Sequence, residues 1–434
     1  MKLRHSNYNI FFNINNKEYV FNALNCELAE IDPMIKRSLE SHCISDICNS
    51  DITDLLEGGF VLPKGINEHE NYMNLFDEKK NEKSLSIKLL LATSCNSDCI
   101  YCYQSLASYN SELINVKQID VIGKWISNEI ENNQIKDVNI ELFGGEPLLA
   151  KSIIPKLYEL LSEIVRKHSI KLTTAIITNA TLLSDDLIKI FIENDVEMKI
   201  TIDGVGDKHN RRRKLKGSKK DGYEIVFNSL KNIIKAGGVD LIGIRMNVDK
   251  LNIEEVEAVA IELHKLGIKK FYCGRVLFRG KNTDYDKNLI AEIDYDKEID
   301  LKLFYIFQKY GFANTPSNLD LKYSCQFHNK HGYVVSPSLK VAKCDELLDL
   351  PKHQIGYIND EGILVHTNDN YKKQTSSSPA DYEECRDCKL LPLCGGGCPI
   401  VSLNKKGSLY SSTCCINENT VKYKLINILK TMEE

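Results

Sequence analysis

The stretch Leu91–Gln104, LATSCNSDCIYCYQ, decides how this chain is read. It starts at the end of an apolar run, Ile87–Ala92, that predicts a β-strand. It then places Cys95, Cys99 and Cys102 at C-x3-C-x2-C spacing. Thiolates this close in sequence can converge on one metal centre, and soft sulfur ligands select zinc or iron–sulfur clusters. A structural zinc site is normally closed by four ligands. No fourth cysteine or histidine lies nearby, so one coordination position is left for something else. A zinc knob borrowing a distant ligand is the alternative, but a loop directly after a strand is where a catalytic barrel site belongs.

Working outward, strands and helices alternate. Strand candidates are Ile87–Ala92, Val138–Phe143, Thr173–Ile177, Met198–Ile202, Leu241–Val248 and Lys269–Cys273. Helical patterns lie between them at Val116–Glu131, Ile153–Lys167, Asp185–Asn194, Tyr223–Ala236 and Ile253–Leu266. Strands separated by helices of this length pair in parallel. Six such units predict an α/β fold, an open partial (β/α)6 TIM barrel over residues 84–310. Upstream, residues 1 to about 64 read as a small independent module. Two strands (Asn7–Asn13, Glu18–Ala23), two helices (Pro33–Ser41, Ile44–Leu56) and a strand (Phe60–Leu62) give a winged-helix-like order. The polar stretch Lys64–Lys83 reads as a linker and closes a first domain, 1–83. Residues 311–434 are short-segmented and cysteine-rich, and metal clusters are expected to serve as their core.

A chain of 434 residues exceeds one ordinary core, which implies two or three domains. Its 43% hydrophobic and 27% charged content are those of a soluble protein. No apolar run reaches the ~18–20 residues that span a bilayer. The N-terminus shows no signal-peptide pattern, so a cytoplasmic protein without a membrane partner is expected. A net charge of −4 argues against nucleic-acid binding. The basic run around Lys208–Lys220 reads mostly as a solvated loop. Fifteen cysteines in a large chain of this kind indicate metal or redox chemistry rather than disulfides.

Further motifs follow the strands. Phe143-Gly144-Gly145-Glu146-Pro147 ends the second, where glycines permit close backbone approach and a carboxylate can pair with a cation; a plain tight turn is the alternative. Thr201-Ile202-Asp203-Gly204 ends the fourth, and His209-Asn210-Arg211-Arg212-Arg213 lies just beyond. Near the C-terminus, Cys385-x2-Cys388-x5-Cys394-x3-Cys398 is preceded by Cys325 and Cys344 and followed by Cys414 and Cys415. A zinc ribbon would show two C-x2-C knuckles instead.

In this order the motifs resemble the radical S-adenosylmethionine (SAM) superfamily with a C-terminal SPASM domain. The resemblance implies a [4Fe–4S] cluster on Cys95, Cys99 and Cys102 that chelates SAM. One-electron reduction then yields a 5′-deoxyadenosyl radical. It implies SAM contacts from Tyr101, Gly144, Gly145, Glu146, Thr201, Arg213 and Leu277. It implies two auxiliary [4Fe–4S] clusters, three in all. One would lie on Cys325, Cys344 and Cys398, the other on Cys385, Cys388, Cys394 and one of Cys414 or Cys415. His328 and His331 lie close to Cys325, and an ordinary surface role is expected of them. Leu339 stands where the family usually has glycine. Asp345 occupies the position of the proton-accepting aspartate of sulfatase-maturating enzymes; capping a turn is the alternative.

The first ~80 residues resemble a RiPP recognition element, which grips the leader of a precursor peptide by adding it as a strand. The function expected from the resemblance is modification of a ribosomally made, cysteine-containing peptide, with thioether formation favoured. An electron donor such as ferredoxin or flavodoxin is implied. Oxidation of Cys or Ser to formylglycine, as in sulfatase maturation, is the alternative enzyme reading. A non-catalytic zinc-binding scaffold is the alternative outside catalysis.

Overall fold

A computed structural model describes residues 2–41, 43, 44, 47–106, 111–217, 220–277, 284–290, 299–312, 319, 321, 325–414 and 416–432. It opens with β1 (Leu3–His5) and an antiparallel meander of β2 (Asn9–Ile14), β3 (Lys17–Asn22) and β4 (Leu28–Ile31). Asn15 and Asn16 both take positive φ (51° and 63°), as a two-residue type I′ hairpin requires. Helix α1 (Pro33–Glu40) starts at Asp32, whose side chain accepts from the Met34 amide, with Pro33 in the first turn. Helix α2 (Asn49–Glu57) leads to β5 (Val61–Pro63), which pairs antiparallel with β1.

Two expectations fail here. The polar stretch 64–83 is no linker but holds helix α3 (Glu68–Lys80), capped by Asn67. Its charged residues hide a short apolar stripe: Tyr72 and Phe76, four residues apart, are both fully buried. Nor is the first module independent. Tyr8, Ile10, Phe12, Tyr72 and Phe76 share one core with Tyr382, Leu390, Leu391, Val421 and Leu425 from the opposite end of the chain.

The six expected parallel strands are observed. They are β6 (Ser84–Ala92), β8 (Asp137–Gly144), β9 (Lys171–Thr178), β10 (Glu197–Thr201), β12 (Ile242–Val248) and β13 (Lys270–Arg275), adjacent in that order. Between them lie a short strand pair, β7 (Ser97–Cys99) with β11 (Arg213–Leu215), and the outer helices. The longest helix, α4 (Val116–Asn133), begins with a capping box between Asn115 and Gln118. It buries Ile119, Ile122, Trp125 and Ile126 against the sheet. The sheet continues past β6 into the C-terminal part: β14 (Gly332–Val335) pairs in parallel with β6, and β15 (Lys340–Ala342), β16 (Gly356–Ile358) and β17 (Leu364–His366) follow antiparallel. The C-terminal part therefore has an apolar core of its own. Phe327, Val334, Ala342, Leu347, Ile400 and Leu409 pack on Leu90 of β6.

The inner face of the barrel is polar. Ser86, Lys88, Asn139, Glu141, Thr173 and Lys199 line a cavity of about 260 Å³. Lys88 lies 3.6 Å and Lys199 2.8 Å from Glu141, while Lys270 reaches Glu197 at 3.5 Å. Among the described residues no helix is long and apolar enough to cross a membrane.

Candidate active site and cysteine array

Cys95, Cys99 and Cys102 sit on the loop after β6, at the C-terminal mouth of the barrel. The loop is fastened on two sides. Cys99 pairs with Arg213 in the β7–β11 ladder, and the Ile100 amide donates to the Arg212 carbonyl at 3.0 Å. Asn179, just after β9, donates to Asn96 Oδ1 at 2.8 Å and Ser97 Oγ at 3.2 Å. The Gly-Gly pair serves the same loop. A Cβ on Gly144 would lie 2.2 Å from the Ala92 carbonyl oxygen, and one on Gly145 2.3 Å from that of Ser94. What the glycines admit here is thus the backbone of the cysteine loop itself. Burial raises the Cys95 thiol and pushes that of Cys99 up to about 12, with neighbouring Cys102 adding to both rises while Arg213 opposes.

Glu146 is buried. Its carboxylate accepts from Thr178 Oγ1 (2.6 Å), the Asn179 amide (2.8 Å) and the Leu148 amide (3.0 Å). Burial raises its pKa against these donors and Arg213. A carboxylate offers about four lone-pair sites, so one remains for an incoming ammonium group.

Tyr101 does more than present an aromatic face. Its hydroxyl donates to the Asp203 carboxylate and accepts from Arg213 Nη1 (2.5 Å) and Asn247 Nδ2 (3.1 Å). Asp203 also accepts from the Asn247 amide at 2.8 Å. The Arg212 guanidinium lies 5.2 Å over the Tyr101 ring and forms a bidentate pair with buried Asp249 (3.0 and 2.7 Å). Burial drives the Tyr101 hydroxyl far above its ordinary value. It would lower Arg213, but Tyr101, Cys99 and Asp203 hold that guanidinium well above its own. Thr201 is buried at the end of β10, whereas Leu277 is about one-third exposed beyond β13.

Asp345 is brought to the same mouth from the C-terminal part. Tyr103, next to Cys102, donates to its Oδ2 at 2.7 Å, and Lys88 to its Oδ1 at 3.1 Å. Burial would raise the Asp345 carboxyl, but Lys88 and Tyr103 outweigh it and hold it below its ordinary value. The carboxylate is therefore ionised and held in place by two side chains.

The described cysteines of the C-terminal part lie near one another in two sets. Cys344 is raised far above its ordinary value first by burial, with Cys325 and Cys398 adding to the rise. Burial pushes Cys385 up to about 12, and Cys394, Cys388 and Cys414 push it further. Cys415 lies outside the described residues. Gly397 (φ 89°) lets these segments meet, since a Cβ there would lie 1.8 Å from the Thr413 carbonyl oxygen. Leu339 itself takes φ 62° in the β14–β15 turn, so the turn survives without glycine. Among the described residues no three Cys, His, Asp or Glu side chains close on a point as they would around a single ion.

Surface roles for the nearby histidines fail for His328. It is 4% exposed, and its Nδ1 lies 3.5 Å from Cys325 Sγ. Sequence reasoning also misses Lys88, Tyr103, Asn247, Arg212, Asp249 and Lys343. Two of these carried a signal: Lys88 is the one charge in the apolar strand SLSIKLLLA, and Lys343 interrupts the run KVAKC. Lys343 is fully buried, donates to the Asn329 and Gly332 carbonyls, and lies 4.7 Å over the Tyr333 ring.

Residues 89–263 match the family model of the Radical SAM superfamily. That span runs from β6 through the triad, Glu146, Asp203 and Arg213, so this part of the chain is a radical SAM domain, the catalytic unit of an oxidoreductase-type enzyme. Such a domain implies a [4Fe–4S] cluster and SAM. Over 432 residues the chain is 24% identical to the radical SAM cyclopropyl synthase TigE of Paramaledivibacter caminithermalis, covering 87% of this chain and 85% of that one. It is 24% identical to the Cysteine-type anaerobic sulfatase-maturating enzyme of Clostridium novyi, over 73% of this chain and 88% of that one. Its fold matches that of Streptococcus suis SuiB, solved with its precursor peptide SuiA and with S-adenosylmethionine. The TM-score is 0.56 at 14–15% identity, across 95% of this chain and 98–99% of SuiB.

Proposed function

We propose that this enzyme modifies a ribosomally made, cysteine-containing peptide, forming a thioether between the cysteine sulfur and a carbon of the same peptide. The observation that carries the reading is the placement of Asp345 between Tyr103 and Lys88, which puts an ionised acceptor from the cysteine-rich part at the mouth of the barrel. Cys95, Cys99 and Cys102 would hold the cluster that binds SAM, and Glu146 and Arg213 its amino and carboxylate groups. When bound there, SAM and its cluster would supply a carbon radical able to take a hydrogen atom from the substrate, and these side chains would hold and orient them. Cys325, Cys344 and Cys398 would hold one auxiliary cluster with three thiolates, leaving a position for a substrate sulfur. Cys385, Cys388, Cys394 and Cys414 or Cys415 would hold the other. Residues 1–83 would bind the leader, supported by β4, which stands at the edge of the three-stranded meander with no strand on its outer side among the described residues. SuiB was solved with a precursor peptide, and TigE is similar over most of the chain.

Sulfatase-type oxidation is the second reading, favoured by the same Asp345 and by the Clostridium novyi relative. Anaerobic incubation with candidate peptides separates the outcomes. A thioether removes the free thiol with loss of two hydrogens. Formylglycine gives a hydrazine-reactive aldehyde. An intact thiol with two hydrogens lost places the new bond between carbons and sinks the thioether assignment. Asp345→Asn should lower product formation by about 10²–10⁴-fold, as loss of a general base does, while SAM cleavage persists. Unchanged product formation would remove Asp345 from the mechanism.

A further inference from the structure

His328 has no part in the function proposed so far, yet it is the imidazole nearest to a cysteine of the auxiliary group. Its position is built. The His328 and Asn329 amides both donate to the Cys325 carbonyl, at 2.9 and 3.1 Å, and this tight turn folds the ring back over the thiol. Phe327 meets the ring edge-on at 5.2 Å and Phe76 of α3 at 5.4 Å. Lys343 ties the Asn329 and Gly332 carbonyls to the strand that leads into Cys344. The ring is therefore held between Phe327 and Phe76 on a braced turn, with Nδ1 3.5 Å from Cys325 Sγ. That separation suits an N–H···S hydrogen bond; it is too short for the imidazole to bind a different iron of the same cubane.

We propose that His328 is a positioning residue that donates Nδ1–H to the Cys325 thiolate and thereby sets the reduction potential of the cluster on Cys325, Cys344 and Cys398. The inference rests on that cluster being present. A hydrogen bond to a cluster sulfur stabilises the more negative, reduced state and raises the potential. Because Phe76 belongs to the first 83 residues, the N-terminal part reaches to within one side chain of a cluster ligand.

The test uses the full-chain holoenzyme with ¹⁵N-labelled histidine, reduced anaerobically and examined by pulsed EPR. A weak histidine nitrogen coupling that disappears in His328→Phe is expected. Phe keeps the aromatic packing between Phe76 and Phe327, so the fold should hold. A strong coupling of the kind given by a directly bound imidazole would make His328 a ligand and overturn the proposal, as would no coupling at all. Redox titration should show one auxiliary potential shifted down in His328→Phe. It should return toward wild type in His328→Asn, whose side-chain amide keeps a donor near the same place. An unshifted potential refutes the tuning role. Iron content separates the underlying reading: if Cys344→Ala loses no iron, the cluster assignment fails, not the histidine geometry.

Discussion

At the scale of single residues, Leu339 shows how a motif survives a departure from its pattern. A left-handed backbone costs an L-residue about 1–2 kcal/mol. Leu339 meets that cost while packing its side chain on the barrel core. Leu339→Gly should therefore change stability by less than about 1 kcal/mol, relief of strain offsetting lost packing. Leu339→Val should lose more, because a β-branched residue suits this φ poorly. Urea midpoints of the two variants test the ranking. His209 gives a pH prediction. Burial, then Arg213, pushes it down to about 4. The unfolded chain accepts a proton near pH 6.5 that the folded chain refuses, so stability is complete above that value and falls as the pH drops toward 4. About 1.2 kcal/mol should be lost at pH 5.5 relative to neutrality, and His209→Gln should flatten that slope. A slope unchanged in the variant would place its origin elsewhere.

At the scale of elements, the barrel was legible because each strand repeats apolar residues beside a helix with a matching face. Cysteine spacing made the loop after β6 legible in the same way. What stayed hidden is polar and long-range. Nothing local to SLSIKLLLA tells that Lys88 pairs with Asp345, 257 residues away. The pairing of Tyr101 with Asp203 needs the parallel sheet that sets their loops side by side. Helix α3 stayed hidden because two aromatics among charges look like a solvated linker until a partner surface exists. Its dependence on that surface is testable. Phe76→Ala should cost about 3–5 kcal/mol, and hydrogen exchange should rise in α3 and in Glu418–Met432 together. Faster exchange confined to α3 would mean that the shared core does not couple the two.

For the whole molecule, the prediction concerns iron. Replacing Cys95, Cys99 and Cys102 with Ala should abolish reductive SAM cleavage and remove about one third of the iron and sulfide of the anaerobically purified protein. Cleavage that persists in the triple variant would refute the assignment of the triad. Loss of all iron would show that the three sites fill as one. Zinc in place of iron in the unmodified chain would favour the scaffold reading.

The core shared by β2, α3 and the last helix, Glu418–Met432, has a consequence for how the protein is made. A ribosome delivers Phe76 some 350 residues before Leu425, on the order of tens of seconds at ordinary elongation rates. Throughout that wait the N-terminal sheet has α3 on its greasy face but lacks the half of the core that the C-terminal part supplies. The first part of the chain to emerge is thus among the last to finish folding, and it finishes beside Cys385 and Cys388. In the cell, chaperone holding and the loading of the auxiliary cluster proposed there would be successive claims on one unfinished surface.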